Sequence, residues 1–324
     1  VTGGAGFIGS HLVERLVASG ASVRVLDDFS TGRRENLSAL AGNKKLAVIE
    51  GSVTDAALVA SAARGADQVY HLAAAVGVML IVRQPTQTLE TNIRGTEVVL
   101  AAAAREGSQF FLASSSEVYG KSDRAAFDED DDLVIGSSRF CRWGYACSKA
   151  VDEFLAMAYA REKGLRVVIG RLFNTIGPRQ VGSYGMVVPR LVEAALQGEA
   201  LPVYGTGEQT RTFLDVRDTV EAIHRLTDAS GAEPLICNIG GETELSINAL
   251  AERVLAATGS EAGVRRLSYE QAYGEPIDDM SRRRPSLRRV RAKLGPDWPR
   301  VDFATSLRAI IADVERRLGR TERQ

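Results

Sequence analysis

The chain has 324 residues, 45% of them apolar and 25% charged, with 40 basic and 41 acidic residues and a net charge of −1. Such a length suits one large or two modest domains, and such a balance creates no field that would recruit nucleic acid or a membrane surface. No apolar run approaches the ~20 residues that span a bilayer. Cys141, Cys147 and Cys237 are too scattered for a disulfide framework, and His11, His71 and His224 lack metal-ligand spacing. No metal and a reducing cytoplasm are therefore expected.

In chain order, "VTGGAGFIG" opens in mid-strand, so most of a first strand and the initiator Met are expected to precede Val1. Short, β-rich, continuously apolar runs follow at 22–27, 46–51, 67–73, 109–115 and 166–173. Strands buried on both faces of a parallel sheet have this pattern. Helical stretches lie between them, including 10–20 and 88–107, each ending at a glycine suited to a C-terminal cap. The alternation predicts an α/β fold, a Rossmann-type doubly wound parallel sheet over residues 1–174. A strand near 234–240 is expected to return to that sheet. From 175 to 324 glycine and proline become frequent and helices shorten, which predicts a smaller C-terminal domain closing over the carboxyl edge of the strands. The acidic run at 128–132 is expected to be a solvated loop.

Gly3, Gly6 and Gly9 stand three residues apart between a strand and a helix. That spacing allows a tight turn, a close backbone approach to a pyrophosphate, and close packing of the helix on the sheet. The helix N-terminus then offers N–H groups and a favourable dipole to the anion. Asp27, 18 residues beyond Gly9, ends the next strand, where its carboxylate can accept from ribose hydroxyls. NAD is expected rather than NADP, since an acid there repels a 2′-phosphate; Arg33 and Arg34 lie in the following loop.

Tyr145 and Lys149 lie at i, i+4 on one helix face. A tyrosine of pKa about 10 is a poor base near neutrality. A neighbouring ammonium and the positive nicotinamide ring are expected to lower it, so that Tyr145 removes a proton from a substrate hydroxyl held by Ser115.

Together, "TGGAGFIGSH", "HLAA" (71–74), "NIRGT" (92–96), "SSSEVYG" (114–120), "YACSK" (145–149) and "RLFNTIGPR" (171–179) resemble the extended short-chain dehydrogenase/reductases that act on nucleotide sugars. The resemblance covers nearly the whole chain. It implies tightly held NAD contacted by Gly3, Gly6, Phe7, Ile8, Gly9, Asp27, Leu72, Ala73, Ala74, Asn92, Tyr145 and Lys149, and a catalytic Ser115–Tyr145–Lys149 group. It also implies a nucleotide-sugar-binding C-terminal domain. There Arg211 would be a diphosphate ligand and Tyr204 would lie near the base or ribose. Asn174 and Val188 would be further substrate contacts. A homodimer is implied as well, through a four-helix bundle made by the helix near 94–105 and the helix of Tyr145, where Val151, Phe154, Leu155 and Ala158 recur at helical spacing. One departure is Ser52, where the family's third strand usually leads into an aspartate that contacts adenine.

"SSSEVYG", "RWGYACSK" and "AYGEPIDDMSRRRPS" most resemble the UDP-glucuronate decarboxylases, with Glu117 and Arg283 as their distinguishing pair. Met186 departs from that pattern, since an arginine often stands there. Oxidation of the sugar at C4 places a ketone β to the carboxylate, so CO₂ can leave. Arg283 would stabilise the enolate, and Glu117, oriented by Ser116, would manage the proton returning to C5. The expected products are UDP-4-keto-pentose, UDP-xylose or both. A UDP-hexose or UDP-hexuronate 4-epimerase, a dehydratase and a non-catalytic NAD-binding regulator stay open as alternatives. The basic run from Arg282 to Lys293 is expected to be mostly a solvated helix, capped by Ser286 and Gly295.

Overall fold

The computed structural model describes residues 1–319; the remaining residues assigned to the C-terminal domain, 320–324, lie outside the described ones. Chain order begins with α1 (Phe7–Ala18), β1 (Val23–Asp27), β2 (Leu46–Glu50), α2 (Ala56–Ala63), β3 (Gln68–His71), α3 (Val78–Arg83), α4 (Pro85–Glu106) and β4 (Gln109–Ser115). It continues with α5 (Arg142–Lys163), β5 (Arg166–Leu172), β6 (Thr175–Ile176), α6 (Val187–Gln197), β7 (Leu201–Tyr204), β8 (Thr210–Thr212), β9 (Leu214–Asp215), α7 (Val216–Asp228) and β10 (Leu235–Ile239). The last elements are β11 (Glu244–Ser246), α8 (Ile247–Thr258), β12 (Val264–Leu267), α9 (Tyr269–Tyr273), β13 (Arg282–Arg283), α10 (Arg288–Leu294) and α11 (Phe303–Arg317).

The large sheet is parallel. Thr2 bridges Leu26 on one side and His71 on the other, so a short stub at the start of the chain joins the β1–β2 pair to β3, β4, β5 and β10. The strand from 235 to 239 returns to this sheet beside β5. Phe110, Phe111, Leu112, Val167, Val168 and Ile169 are fully buried, because helices cover both faces. α1, α7 and α10 pack on one face through Leu12, Ile223 and Val290, and α2, α4 and α5 cover the other through Val59, Leu100 and Ala156. A separate core gathers α6, α8 and α11 around Leu191, Leu250 and Ile310. Besides the returning strand, therefore, the second half of the chain also sends α7 and α10 back to the large sheet.

Gly107 ends α4 in the left-handed conformation, as the glycine cap requires. The first helix ends instead at Ser19 in a right-handed conformation. Two other expectations are corrected. α10 begins at Arg288 with Leu287 in the cap position and no side-chain cap. Ser286 is drawn away because its N–H donates to Phe127 O (2.7 Å), tying the 127 loop to the segment around Pro285. The acidic run is not wholly solvated either. Glu129 is only 4% exposed and accepts the Asn238 N–H at 2.8 Å, while Asp128 and Asp130 pair with Arg288 and Arg289 of the basic run.

β13 is the short strand that matters for the site. It runs parallel to β8, placing Arg283 opposite Arg211 and Arg282 opposite Thr210. Side chains alternate along a strand. Arg282 accordingly points outward to Glu244, and Arg283 inward to Glu117.

Candidate active site

A single cavity of about 700 Å³ runs along the carboxyl ends of the strands, from the glycine turn to Tyr204 and Arg211. At the first end, Gly3 has φ +67°, and a Cβ on Gly9 would sit 2.0 Å from Gly3 O. Only glycine permits so close a return of α1 onto the turn. At Gly6 an added Cβ would meet nothing but Gly3 O, at 3.2 Å, so the backbone faces open cavity where a pyrophosphate needs to approach. Phe7 and Ile8 carry the first-turn amides and line the cavity with Gly9. Asp27 ends β1 at its wall. One carboxylate oxygen accepts the Ala5 N–H at 2.8 Å and the other the Phe29 N–H at 2.9 Å. Burial raises its pKa, and these two amides oppose the rise. Glycines, amides and acid together fit a dinucleotide.

Leu72, Ala73 and Ala74 form the opposite wall. Asn92 is not among the residues lining the cavity; its Oδ1 accepts the Ala75 N–H at 2.8 Å and its Nδ2 donates to Ser148 Oγ at 3.2 Å, holding that wall to α5. Ser52 is turned onto Thr54 (2.9 Å), while its neighbours Gly51 and Val53 line the cavity. Arg33 lines it too; Arg34 pairs with Glu50 and lies over the Phe29 ring.

In the middle, β4 ends at Ser115, whose hydroxyl accepts the Glu117 N–H at 3.2 Å and caps a 3₁₀ turn over Ser116–Tyr119. This turn carries Glu117 into the cavity. Strand end and helix are locked together below it: Glu153 of α5 accepts from Ser114 Oγ, and Arg171 of β5 pairs with Glu153 at 2.8 Å. That lock sets Tyr145 against Ser115. Lys149 lies behind Tyr145, buried, with Nζ 2.8 Å from Asp152 Oδ2 on the same helix. Among the protein's own groups the balance at Tyr145 runs the other way, so a lowering of its pKa rests on the nicotinamide charge. Burial and the nearby Glu117 carboxylate push it upward, against the hydrogen bond from Ser115, and Lys149 is committed to Asp152.

At the far end, acids and arginines alternate. Arg283 Nη1 donates to Glu117. Arg142 Nη2 donates to both Glu117 oxygens, at 3.0 and 3.1 Å. Arg142 Nη1 lies 2.7 Å from Asp279, which also accepts from Arg211 Nη2 at 3.0 and 3.1 Å and from Tyr269 Oη at 2.8 Å. Burial favours a neutral Glu117, but Arg142 and Arg283 outweigh it and hold the carboxyl below its ordinary range. The bonds to this carboxylate thus come from two guanidiniums, not from the expected Ser116, which is buried beside it.

Arg142 and Asp279 were not anticipated from sequence. Arg142 could have been found three residues before Tyr145 on one helix face; Asp279 had no such signal. Asn174, at φ +34°, lines the cavity while donating to Thr212 O at 2.8 Å. Val188 and Met186 line it at the start of α6. Arg190 lies over the Tyr204 ring at 3.9 Å, and Tyr273 meets that ring edge-on. Among the described residues, no cluster of His, Cys, Asp and Glu could hold a metal ion.

The sequence model of the NAD-dependent epimerase/dehydratase family matches residues 1–240. A protein of Bacillus cytotoxicus named UDP-N-acetyl-alpha-D-glucosaminuronate decarboxylase is 39% identical over 312 residues, 96% of this chain and 95% of that one. UDP-glucuronic acid decarboxylase 1 of Xenopus tropicalis is 36% identical over 91% of this chain and 67% of its own length. Among solved structures, the dTDP-glucose 4,6-dehydratase DesIV of Streptomyces venezuelae, with NAD bound, superposes with a TM-score of 0.89 at 31% identity, covering 99% of this chain and 98% of that one. A glycine turn with its strand-end acid, a Ser–Tyr–Lys group and a family model spanning most of the chain lead to one assignment: this chain belongs to the NAD-dependent epimerase/dehydratase family.

Proposed function

We propose that the protein decarboxylates UDP-glucuronate through a 4-keto intermediate, giving UDP-4-keto-pentose, UDP-xylose or both. The observation that carries this reading is Glu117, ionised between Arg142 and Arg283 beside Tyr145. Moving a hydride and a proton at C4 needs only Tyr145 and Ser115; a carboxylate clamped by two guanidiniums suits a reaction that also moves charge at C5 and C6.

Bound NAD supplies a hydride acceptor and a positive charge. Ser115 holds the C4 hydroxyl, and Tyr145 takes its proton. The ketone formed is β to the carboxylate. The C5–C6 bond then breaks, CO₂ leaves, and the bonding pair becomes an enolate that Arg283 stabilises by charge. Glu117, being ionised, does not deliver a proton of its own; it orients a water that protonates C5. The hydride that the reduced cofactor would supply, returned to C4, gives UDP-xylose. Arg211 and Asn174 hold the diphosphate, with Tyr204 and Val188 along the nucleotide. The test is incubation with UDP-glucuronate, with CO₂ measured and products identified by NMR. No CO₂, together with interconversion of 4-epimers, would transfer the assignment to a 4-epimerase. The Bacillus relative's name favours a second reading, a 2-acetamido-hexuronate substrate, so UDP-N-acetylglucosaminuronate belongs in the same assay.

The protein is proposed to act in the cytoplasm as a homodimer. α4 and α5 lie side by side and leave apolar residues outward, Phe154 at 70% exposure and Leu89 at 36%; a partner's copy of the same pair would cover them. A monomeric mass by light scattering at micromolar concentration would exclude the dimer.

A further inference from the structure

Asp279 is an anion facing the end of the cavity where a diphosphate would lie. Its neighbours carry a surplus of positive charge. Arg142, Arg211 and Arg283 share two acids, Glu117 and Asp279. The surplus falls most heavily on Arg211. Its burial, joined by the repulsion of Arg283, lowers its pKa to about 10 against the pull of Asp279. The hydrogen bonds of Arg211 are also committed. Nη1 donates to Thr210 O at 2.7 Å, and Nη2 gives both of its contacts to the Asp279 carboxylate. A phosphate oxygen that is to engage Nη2 must compete with Asp279 for it.

Asp279 can release Arg211 without being stranded. Arg142 Nη1 at 2.7 Å, Tyr269 Oη at 2.8 Å and the Met280 N–H at 2.8 Å would all remain on the carboxylate. A buried charge losing its sole partner would be strongly disfavoured, whereas this one keeps an ion pair and two hydrogen bonds. The same carboxylate bonds Arg142, which clamps Glu117, so the exchange reaches the proposed reacting end of the substrate.

Building on the proposed nucleotide-sugar reading, we propose that Asp279 is a positioning residue that exchanges partners. It gives up Arg211 to the incoming diphosphate and retains Arg142, which in turn fixes Glu117. Diphosphate binding and the setting of Glu117 are then coupled through one carboxylate.

The exchange makes Asp279 a competitor in binding and an asset in turnover, so its removal should move the two in opposite directions. Titrating UDP into Asp279→Asn by calorimetry should show Kd about fivefold or more below that of the unaltered enzyme, an ordinary size for coupling between sites. CO₂ release at saturating substrate should fall about tenfold, because Arg142 loses a charged partner. A merely structural role would weaken both. In an Arg211→Gln background, the tightening caused by Asp279→Asn should vanish, since no partner is left to exchange. If Asp279→Asn does not fold, Asp279→Ser carries the same expectations. Unchanged or weaker UDP binding by Asp279→Asn overturns the inference alone. So does tightening that persists without Arg211, which would mean simple repulsion. An unaltered enzyme that binds no UDP overturns the nucleotide-sugar reading and the inference with it.

Discussion

The two ends of the cavity are built by different means. At the glycine turn the backbone does most of the work: three glycines, a helix N-terminus and one aspartate, supplied within the first 27 residues, shape the site. At the other end five charged side chains come from five places, with Glu117 on a turn after β4, Arg142 on α5, Arg211 on β8, Asp279 in a loop and Arg283 on β13. A backbone site tolerates change poorly because its geometry is its function. A charge network shares its load, and its failures should be graded by which partner is removed.

Four substitutions break or sharpen that contrast. Tyr145→Phe, at the junction of the two ends, should show the largest effect, a loss of about 10²–10⁴ in turnover. NAD and UDP binding should persist, since the buried ring still packs; turnover and both Kd values check this, and near-normal turnover would mean another base. Glu117→Gln should reduce CO₂ release by about 10²-fold, the low end of what general acid–base positioning contributes, because the water that protonates C5 loses its orienting carboxylate, with NADH or a 4-keto species accumulating. It should also shift the pH profile of sugar oxidation. The Glu117 carboxylate helps to raise the Tyr145 pKa, so its neutralisation should bring the base into play at lower pH. The rate of NADH formation against pH reads this, and a shift to higher pH would contradict the charge argument.

At the backbone end, Gly9→Ala forces a Cβ to 2.0 Å from Gly3 O. It should destabilise the fold by about 1–3 kcal/mol, as overpacking does, and weaken NAD binding with it. Urea unfolding and NAD titration measure the two effects, and an unaltered midpoint would show that the turn can yield. The smallest change is Asp27→Ala, with about tenfold weaker NAD binding and a relaxed preference over NADP. That corresponds to roughly 1.4 kcal/mol, the upper end of the range for an ordinary hydrogen bond. Tighter binding of NADP than of NAD by the unaltered protein would remove the reason for Asp27.

The same contrast explains what could be read in advance. The large sheet, the returning strand at 235–239 and the glycine turn follow from local periodicity and spacing, so each was legible in a few contiguous residues. Glu117 and Arg283 were visible one by one, through resemblance. What escaped was their wiring. Arg142 and Asp279 stand 137 positions apart, and nothing in their local sequence announces a shared carboxylate–guanidinium contact. The errors have the same origin. Ser286 has the chemistry of a helix cap, and "DEDDD" that of a solvated loop, until tertiary pairing redirects Ser286 to Phe127 and buries Glu129 under Asn238. The rise in the Tyr145 pKa comes first from burial and then from the Glu117 carboxylate carried by the turn after β4, neither of which is visible in the local sequence.

The pairing of β13 with β8 has a consequence of its own. Arg282, Arg283 and Arg284 are identical side chains in consecutive positions, and only Arg283 reaches Glu117. Selection is made by phase. Because successive strand residues face opposite ways, a slip of one position would turn Arg283 outward and bring a neighbour inward, with the composition of the segment unchanged. The inward neighbour would then itself stand opposite Arg211, in the place that Arg283 now holds. The two strands thus act as an index, deciding by register alone which of three identical arginines meets Glu117. A one-residue slip of this segment would therefore exchange one arginine for another at the same place, leaving the chemistry of the site as it is.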